Sequence, residues 1–442
     1  MNNTRTAAIY TLGCKVNQYE SEAIAEHLKK HGVEILSGNA TVAIINTCSV
    51  TGESDRKCRQ TIRRAIRENP GSFVLVTGCL SQVDPNSVAA IPGVSFVCGN
   101  KNKMTVAEKA LEYLDGCTSL SCPEVAVTSL EGAPFEKMAV DHSERTRAYI
   151  KVEDGCESHC AYCIIPRARG KIRSKPLEEV VAEAKELAAK GYRELVLAGI
   201  EVSAYGSDLG SVDLADLVNA LDPIEGLERI RFPSIDPSFM KPSFTDRIAG
   251  CAHLAPHFHL SLQSGCDRTL HRMRRRYNTA QVRRYVEYLR EKLPNVQFTA
   301  DVIVGFPGET ETDFAEACDF VASLGLLSAH VFAYSRRKGT EAAEMPEQIP
   351  EQTKQWRSAQ LIALCKESQK RVLAEYIKKH PTGKVLFEQQ EKGVFFGRLA
   401  NYIGVEVETA GTDEDLHGQI REVELSFSHK NDRLCGKLLK TP

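Results

Sequence analysis

The chain has 442 residues, of which 42% are hydrophobic, and its 56 basic and 58 acidic side chains give a formal net charge of −2. This length is typical of about three domains, and the near-neutral charge excludes a protein that binds nucleic acid through a global basic field. The sequence shows neither a signal-peptide pattern nor an apolar run of membrane-spanning length, so we expect a cytoplasmic protein with no membrane partner.

The chain contains 15 cysteines. Because cytoplasmic thiols stay reduced, this number indicates metal binding rather than disulfides. Several of the cysteines, among them Cys58, Cys318 and Cys365, fall inside helical patterns, and we interpret them as small core residues.

Strand and helix patterns alternate in the first part of the chain, which predicts a parallel α/β sheet. The predicted strands are 7–12, 42–46 and 73–77, and the predicted helices are 20–31, 54–69 and 86–90.

A cysteine follows each of these three strands at once: Cys14, Cys48 and Cys79. The carboxyl ends of parallel strands lie on one edge of a sheet, so we expect the three thiols to converge and to hold an iron–sulfur cluster. The alternative is three unrelated buried thiols. Cys98 ends a further strand-like run and would close the cluster if it were a fourth ligand; we expect it not to be one, because an open iron suits the chemistry inferred below.

From residue 148 onward, strand and helix alternate about six times, which predicts a partial (β/α) barrel. The predicted strands are 148–152, 194–198, 229–232, 258–262, 298–304 and 330–334, and the clearest helices are 177–190, 280–292 and 312–324.

The first barrel strand runs into a loop that carries Cys156, Cys160 and Cys163. Three thiolates at this spacing can hold three corners of a four-iron cluster and leave the fourth iron open. The alternative is a zinc site with His159 as the fourth ligand. Structural zinc sites usually combine two separated ligand pairs, and no second pair follows at the usual distance.

Barrel enzymes place their chemistry at the carboxyl ends of the strands. The candidate residues at those ends are Gly199, Glu201, Asp236, Gln263 and the turn 305–309. For Asp236 and Gln263 the alternative is a role in a turn or a helix cap.

The last part of the chain begins with a linker rich in proline and glutamate at 345–351, followed by a helical pattern at 352–379. Short predicted strands separated by glycines then suggest a small β-barrel. These strands are 385–387, 394–396, 402–408 and 422–426.

Several segments resemble known proteins. The run Cys156-Glu-Ser-His-Cys160-Ala-Tyr-Cys163 resembles the signature of radical S-adenosylmethionine (SAM) enzymes, and with its flanks, 153–155 and 164–170, it is similar to their methylthiotransferase branch. The segments around Cys14, Cys48 and Cys79 resemble the N-terminal domain of that family. Segment 15–19 is most similar to the subgroup that modifies threonylcarbamoyladenosine in tRNA. Segments 261–265 and 302–310 are similar to the family's barrel motifs, and the C-terminal strands resemble a TRAM domain.

The resemblance implies a three-domain architecture: an N-terminal methylthiotransferase domain (1–140), a radical SAM domain (141–372) and a TRAM-like domain (373–442). It implies two [4Fe–4S] clusters, one held by Cys14, Cys48 and Cys79 and the other by Cys156, Cys160 and Cys163. It also places SAM near Tyr162, Gly199 and Glu201, with Asp236 and Gln263 lining the site. Tyr162 would lie near the adenine, and Gly199 and Glu201 near the amino group.

The implied function is a tRNA methylthiotransferase that acts on carbon 2 of N6-threonylcarbamoyladenosine at position 37. Its partners would be the tRNA anticodon loop, a reductant such as flavodoxin or ferredoxin, and a sulfur source. If RNA is the substrate, the basic clusters at 56–67 and 268–276 should bind phosphates.

Two alternatives remain open. One is the same chemistry on an aspartate of a small-subunit ribosomal protein. It is favoured by the mildly acidic C-terminal segment, which has 10 acidic against 8 basic residues from Lys384 on, because an RNA-binding module is usually basic. The other is a non-enzymatic iron–sulfur protein that binds RNA.

Overall fold

The structure is a computed structural model that describes residues 5–117, 123–140, 145–391, 393–408, 414–428 and 433–439. Its fold combines two mainly parallel α/β units with a C-terminal β-barrel, as the sequence predicts.

The first unit is an open sheet of six parallel strands in the order β2-β1-β3-β4-β5-β6. Its elements are β1 (Thr6–Thr11), α1 (Lys15–Lys30), β2 (Glu34–Leu36), β3 (Val42–Thr47), α2 (Gly52–Glu68), β4 (Phe73–Gly78), α3 (Cys79–Val83), α4 (Pro85–Ala89), β5 (Phe96–Cys98), α5 (Thr105–Leu114) and β6 (Glu124–Ala126). Strands β3 and β4 are buried along their whole length, because helices cover both faces and the strands are almost continuously apolar.

The helix α1 begins earlier than the sequence pattern predicts. We expected it from residue 20, but it starts at Lys15, directly after Cys14. The apolar periodicity starts late because polar residues of its first turns, among them Asn17 and Glu20, are buried. Their partners belong to distant segments, which the helical pattern does not show.

The central unit is a partial barrel. Its elements are β7 (Ala148–Lys151), β8 (Glu153–Asp154), α6 (Ile165–Arg169), β9 (Arg173–Ser174), α7 (Leu177–Ala189), β10 (Glu194–Ala198), α8 (Leu214–Leu221), β11 (Arg229–Arg231), α9 (Pro242–Ile248), β12 (His257–Gln263), α10 (Asp267–Arg272), α11 (Thr279–Lys292), β13 (Gln297–Val304), α12 (Glu311–Ser323), β14 (Ser328–Ala333), α13 (Glu341–Glu344) and α14 (Glu351–Lys379). Two parallel three-stranded sheets, β11-β10-β7 and β12-β13-β14, are joined by the bridges Ile230–Leu254 and Ile235–Leu260.

Local sequence explains the helices that surround this barrel. The helix α11 begins after Asn278, whose side chain accepts a hydrogen bond from the Gln281 N–H at 2.8 Å, and this is a favourable helix cap. Its stripe Val282, Val286 and Leu289 is buried in the barrel core, as its spacing predicts.

The C-terminal unit is a closed barrel in the order β15-β16-β17-β19-β18. Its strands are β15 (Thr382–Glu391), β16 (Val394–Leu399), β17 (Gly404–Glu408), β18 (Ile420–Ser428) and β19 (Arg433–Leu438). Every neighbouring pair is antiparallel except β17 and β19, which are parallel. The sequence analysis missed β19, which closes the barrel.

This small barrel docks at the amino ends of the central strands through a buried charge network. The carboxylate of Glu194 accepts hydrogen bonds from Arg231 Nε at 2.6 Å and Arg229 Nη1 at 3.4 Å, and Arg147 Nε lies 3.2 Å from it. Arg229 also donates to the carbonyls of Lys384 and Arg398. Burial raises the pKa of Glu194, and the three arginines outweigh this effect and lower the pKa to about 2.

Among the described residues, no helix combines the length and the hydrophobicity needed to span a membrane.

Candidate active site

The first three predicted cysteines meet at one edge of the first sheet. Cys14 follows β1 and precedes α1, Cys48 follows β3, and Cys79 opens α3 directly after β4. These strands are adjacent in the sheet. Burial raises the pKa of Cys48 to about 12, with smaller contributions from the neighbouring Cys79 and Cys14 thiols. The structure therefore brings the three sulfurs together, as parallel strand ends require.

Two glycines allow this close approach. Gly13 has φ +99°, and a Cβ atom there would lie 2.7 Å from Cys48 Cβ and 2.8 Å from its Sγ. Gly78 has φ +100°, and a Cβ atom there would lie 2.4 Å from the Thr47 carbonyl oxygen. Each glycine immediately precedes a cysteine, so both Gly-Cys pairs are a sequence signal for the crowded edge.

Two further cysteines lie near this edge in different settings. Cys98 packs in the hydrophobic core with Leu75 and Phe96, and its thiol contacts the Asn102 carbonyl at 3.9 Å. Cys58, which the sequence analysis treated only as a core residue, donates to the Cys48 carbonyl at 3.1 Å and accepts from the Cys48 N–H at 3.3 Å. It thereby positions the backbone of Cys48.

The second cysteine set lies on the loop between β8 and α6. Cys156 Sγ accepts from the Ser158 N–H at 3.4 Å, and Cys163 Sγ accepts from the Ile165 N–H at 3.4 Å. Cys160 Sγ accepts from Arg275 Nη1 at 3.0 Å. Burial raises the pKa of Cys163 to about 12, with added contributions from the Cys160 and Cys156 thiols. The exposed His159 sits on this loop at φ +48°.

The sulfur spacing tests which metal group fits. In the part of the chain that the structure describes, neither cysteine set has all three sulfurs within 4.8 Å of one another. A single zinc ion with Zn–S bonds of about 2.3 Å would hold tetrahedral sulfurs about 3.8 Å apart. The spacing in each set therefore does not match a mononuclear zinc site that uses all three thiolates.

A buried arginine links the helix that follows Cys163 to the first cysteine set. Arg169 ends α6, just beyond Cys163, and its Nε lies 3.4 Å from Cys79 Sγ. Its Nη1 donates to Glu20 at 2.6 Å and to Asp154 at 3.2 Å. The opposing charge of Arg169 is the largest effect that holds the pKa of Glu20 well below its ordinary value against the effect of burial.

Other contacts join the cysteine edge of the first sheet to the barrel. Asn100 donates from Nδ2 to the Ala168 carbonyl at 2.7 Å and lies 3.6 Å from Cys79 Sγ. Arg337, in the segment after β14, forms an ion pair with Asp55 at 2.7 Å and donates to the Ser49 carbonyl at 3.2 Å. The cysteine edge of the first sheet therefore lies over the carboxyl end of the barrel.

Gly199 and Glu201 lie in the turn after β10 and face Glu153. The Glu201 N–H donates to Glu153 Oε2 at 2.7 Å, and a Cβ atom on Gly199 would lie 2.8 Å from the same oxygen. Burial, with a smaller contribution from Asp236, raises the pKa of Glu201 to about 7. Burial also raises the pKa of Glu153 well above its ordinary value. Sequence analysis missed Glu153, although it precedes Cys156 by only three residues.

Asp236 makes the turn-capping contact that the sequence left open, and it also binds an arginine. Its Oδ1 accepts from the Ser238 N–H at 2.8 Å, which is a turn-capping contact, and its Oδ2 accepts from Arg275 Nη2 at 2.6 Å. Since Arg275 also reaches Cys160, Asp236 is linked to the second cysteine set. Gln263 ends β12 at φ +62°. Tyr162 packs beside Phe306 and Tyr334, and burial raises its pKa.

The location of Arg275 corrects one expectation. Sequence analysis grouped it with a basic cluster for RNA phosphates, but its side chain is only 5% exposed and lies against Cys160. Other members of that cluster also have protein partners: Arg268 pairs with Asp313, and Arg274 pairs with Glu341. A run of charges in sequence does not show which side chains the fold buries.

Comparison with known proteins agrees with this geometry. Residues 150–321 match the radical SAM superfamily, and residues 6–99 match the uncharacterized protein family UPF0004. The threonylcarbamoyladenosine tRNA methylthiotransferase MtaB of Bacillus subtilis is 39% identical over 95% of this chain and 93% of that protein. The protein of the same name from Thermotoga maritima is 38% identical over 90% of this chain and 89% of its own length.

A second group of relatives and a solved structure are also similar to this chain. The tRNA-2-methylthio-N(6)-dimethylallyladenosine synthase of Clostridium tetani is 33% identical over 98% of this chain and 97% of that protein. The radical SAM methyltransferase TsrM of Kitasatospora setae, with cobalamin and a [4Fe–4S] cluster bound, has a TM-score of 0.56 at 15% identity, covering 77% of this chain and 74% of its own, and shows the shared fold. The chain belongs to the radical SAM methylthiotransferase family, whose enzymes use SAM and [4Fe–4S] clusters.

Proposed function

We propose that this enzyme is a tRNA methylthiotransferase that converts N6-threonylcarbamoyladenosine at position 37 to its 2-methylthio derivative. The observation that supports this proposal is the contact between the segments of the two three-cysteine sets: Arg169, six residues after Cys163, lies 3.4 Å from Cys79 Sγ. The substrate is inferred from relatives whose names specify threonylcarbamoyladenosine in tRNA.

In this proposal the two cysteine sets have different roles. Cys14, Cys48 and Cys79 hold the cluster that carries the sulfur to be transferred, and Cys156, Cys160 and Cys163 hold the cluster to which SAM binds. When bound, the clusters and SAM supply one-electron chemistry, which suits an aromatic C–H bond that acid–base catalysis does not activate.

In this proposal the protein's own side chains orient the cofactor. Gly199 and Glu201 would meet the SAM amino group, and Tyr162 would meet the adenine. Asp236 and Gln263 line the same site.

The proposed partners are the tRNA anticodon loop, a reductant such as flavodoxin or ferredoxin, and a sulfur source. An anticodon loop offers a base that can be unstacked into the proposed active site at low cost. We also propose the domain limits 1–140, 141–372 and 373–442; the first of these limits adjoins residues 141–144, which lie outside the described residues.

The decisive experiment compares substrates with reconstituted enzyme under anaerobic conditions. With SAM and dithionite, we expect 5′-deoxyadenosine and the 2-methylthio nucleoside from tRNA that carries N6-threonylcarbamoyladenosine, both measured by mass spectrometry. The ribosomal-protein alternative predicts product only on the protein substrate. Transfer RNA from cells lacking the gene should lose the 2-methylthio nucleoside; its persistence would contradict the proposal.

Replacing Arg275 by methionine should slow 5′-deoxyadenosine formation ten- to hundredfold, the usual cost of losing an outer-shell partner of a metal ligand. Arg275 donates to Cys160 Sγ and holds Asp236, and hydrogen bonds to cluster sulfurs also tune the reduction potential. We therefore expect a shifted potential in redox titration at unchanged iron content. The matched control is the neighbouring Arg276→Met, which removes only a donor to the Glu157 carbonyl. It should leave both the rate of 5′-deoxyadenosine formation and the reduction potential unchanged.

A further inference from the structure

We propose that a cationic cavity between the barrel and the C-terminal β-barrel binds the carboxylate of the threonylcarbamoyl group and so selects which N6 substituent the enzyme accepts. This inference rests on the proposed function and concerns the specificity of the same site.

The cavity adjoins the proposed active site along the barrel strands. It encloses about 950 Å³ and is lined by barrel residues that include Val196 and Phe232. Val196 precedes Gly199 by three residues on the same chain segment, so the cavity wall lies about 10 Å from the proposed SAM site. On the other side the cavity is lined by Lys15, which directly follows Cys14. The cavity is thus lined by residues that adjoin Cys14 and the turn with Gly199 in sequence.

Positive charge dominates the cavity wall. Glu388 and Glu406 are its acidic lining residues. The basic lining residues are Lys15, Arg147, Arg231, Lys366, Lys370, Arg398 and Arg433. Several of these charges have counterions, such as Glu388 in the wall and Glu194 behind it, but the cations remain in excess.

Three of the arginines converge on one tyrosine. The guanidinium carbons of Arg398, Arg231 and Arg147 lie 4.2, 5.0 and 5.4 Å from the centre of the Tyr402 ring. Burial raises the pKa of Tyr402, yet Arg398, Arg147 and Lys15 together lower it below its ordinary value. The surroundings of this ring therefore stabilise negative charge.

The wall also has hydrogen-bonding capacity to spare. Arg231 is buried, and its Nη1 has no hydrogen-bond acceptor among the described residues. No ion pair of Lys15 is found in the described part of the chain either. Buried donors are normally satisfied, so an anion that enters the cavity would gain contacts that the protein alone leaves unmade.

The chemistry of the substrate matches this cavity. In adenine, C2 and C6 flank N1, so a substituent on N6 projects close to the carbon that receives sulfur. The threonylcarbamoyl group ends in a carboxylate a few bonds beyond N6. The dimethylallyl group named for the Clostridium tetani relative is neutral and apolar, and it would leave the buried cations unpaired, which is a strong basis for rejection.

The test uses an anticodon stem-loop RNA with N6-threonylcarbamoyladenosine and the same RNA with the threonyl carboxylate as its methyl ester. For the unaltered enzyme we expect kcat/KM to be ten- to hundredfold lower for the ester, the range for loss of a hydrogen bond to a charged group. Lys15→Met and Arg398→Gln should each bring the ratio of kcat/KM for the acid to kcat/KM for the ester closer to one, because each lowers kcat/KM for the acid alone. Lys137→Met, which alters an exposed lysine paired with Glu179 outside the cavity, should keep the ratio.

Two controls separate recognition from damage. Because Lys15 adjoins Cys14, the iron content of Lys15→Met is measured alongside its kinetics. Arg398 lies in β16, remote from both cysteine sets in sequence, so Arg398→Gln tests the cavity without altering a neighbour of a proposed ligand.

Equal kcat/KM for acid and ester with the unaltered enzyme would overturn this inference while leaving the proposed function intact. Equal weakening of both substrates by the two cavity variants would also overturn it, because it would show that the cations bind RNA phosphates instead. If neither RNA reacts and a ribosomal protein does, the proposed function fails, and the inference fails with it.

Discussion

Replacing Cys163 by alanine should abolish both 5′-deoxyadenosine formation and methylthiolation, whereas replacing Cys48 by alanine should abolish methylthiolation alone. Each cysteine set supplies three thiolates, and removal of one leaves too few to hold a cube firmly. The loss should exceed the ten- to hundredfold typical of an outer-shell partner, which distinguishes these variants from Arg275→Met.

The different outcomes follow from where the two cysteines lie. Cys163 belongs to the loop beside the proposed SAM site, and Cys48 to the edge of the first sheet. Each variant should lose about half of the bound iron, measured together with electron paramagnetic resonance of the reduced protein. Retained 5′-deoxyadenosine formation in Cys163→Ala would contradict the assignment of duties.

Cys98→Ala is the matched control, because Cys98 is also a cysteine at the end of a strand in the first sheet. Its side chain packs in the hydrophobic core, so the variant should keep full iron content and both activities. A loss of iron in Cys98→Ala would identify it as a fourth ligand of the first cluster and would remove the open iron on which sulfur transfer depends.

The positions of the cysteines were predictable because strand ends in a parallel sheet converge regardless of their separation in sequence. The same rule located Gly199, Glu201 and Asp236 at the carboxyl ends of barrel strands. Family resemblance identified the chemistry, and the fold class followed from the alternation of strands and helices. What these patterns share is that each is local in sequence or imposed by sheet geometry.

Contacts between distant segments were not predictable in this way. Arg169 meets Glu20 across 149 residues, and Arg275 meets Cys160 across 115. Nothing in the sequence around either arginine distinguishes it from a solvated charge, and Arg275 was accordingly assigned to the wrong surface. The strand β19 was missed because its pairing with β17 and β18 is set by barrel closure rather than by its own short pattern.

Replacing Arg169 by methionine should destabilise the protein by about 3–5 kcal/mol, the usual cost of removing one partner from a buried ion network. Arg169 is completely buried and neutralises Glu20 and Asp154. Lys151 pairs with both carboxylates, at 2.8 Å in each case. The change therefore weakens the ion network but leaves each carboxylate with a positive partner. Urea unfolding of the variant and the unaltered enzyme, prepared with the same iron content, measures the difference.

The pH dependence of stability gives a second measure of the same network. Burial raises the pKa of Asp154, but Arg169 and then Lys151 outweigh it and lower the pKa from 3.8 to about 2. A carboxylate with a depressed folded-state pKa stabilises the protein above its ordinary pKa, and this stabilisation is lost as the pH falls toward 2. Without Arg169 the depression is smaller, so stability in Arg169→Met should fall less steeply between about pH 4 and pH 2.

A matched pair of variants separates the ion network from simple loss of an arginine. Arg167→Met alters an exposed residue on the same short helix and should unfold at the urea concentration of the unaltered enzyme. Arg169→Met combined with Glu20→Gln should lose further stability, because the buried Lys103, which pairs with Glu20, then loses its carboxylate. Unfolding of Arg169→Met at the unaltered midpoint would mean that the two cysteine sets are held in place by packing alone, and the electrostatic link between them would have to be abandoned.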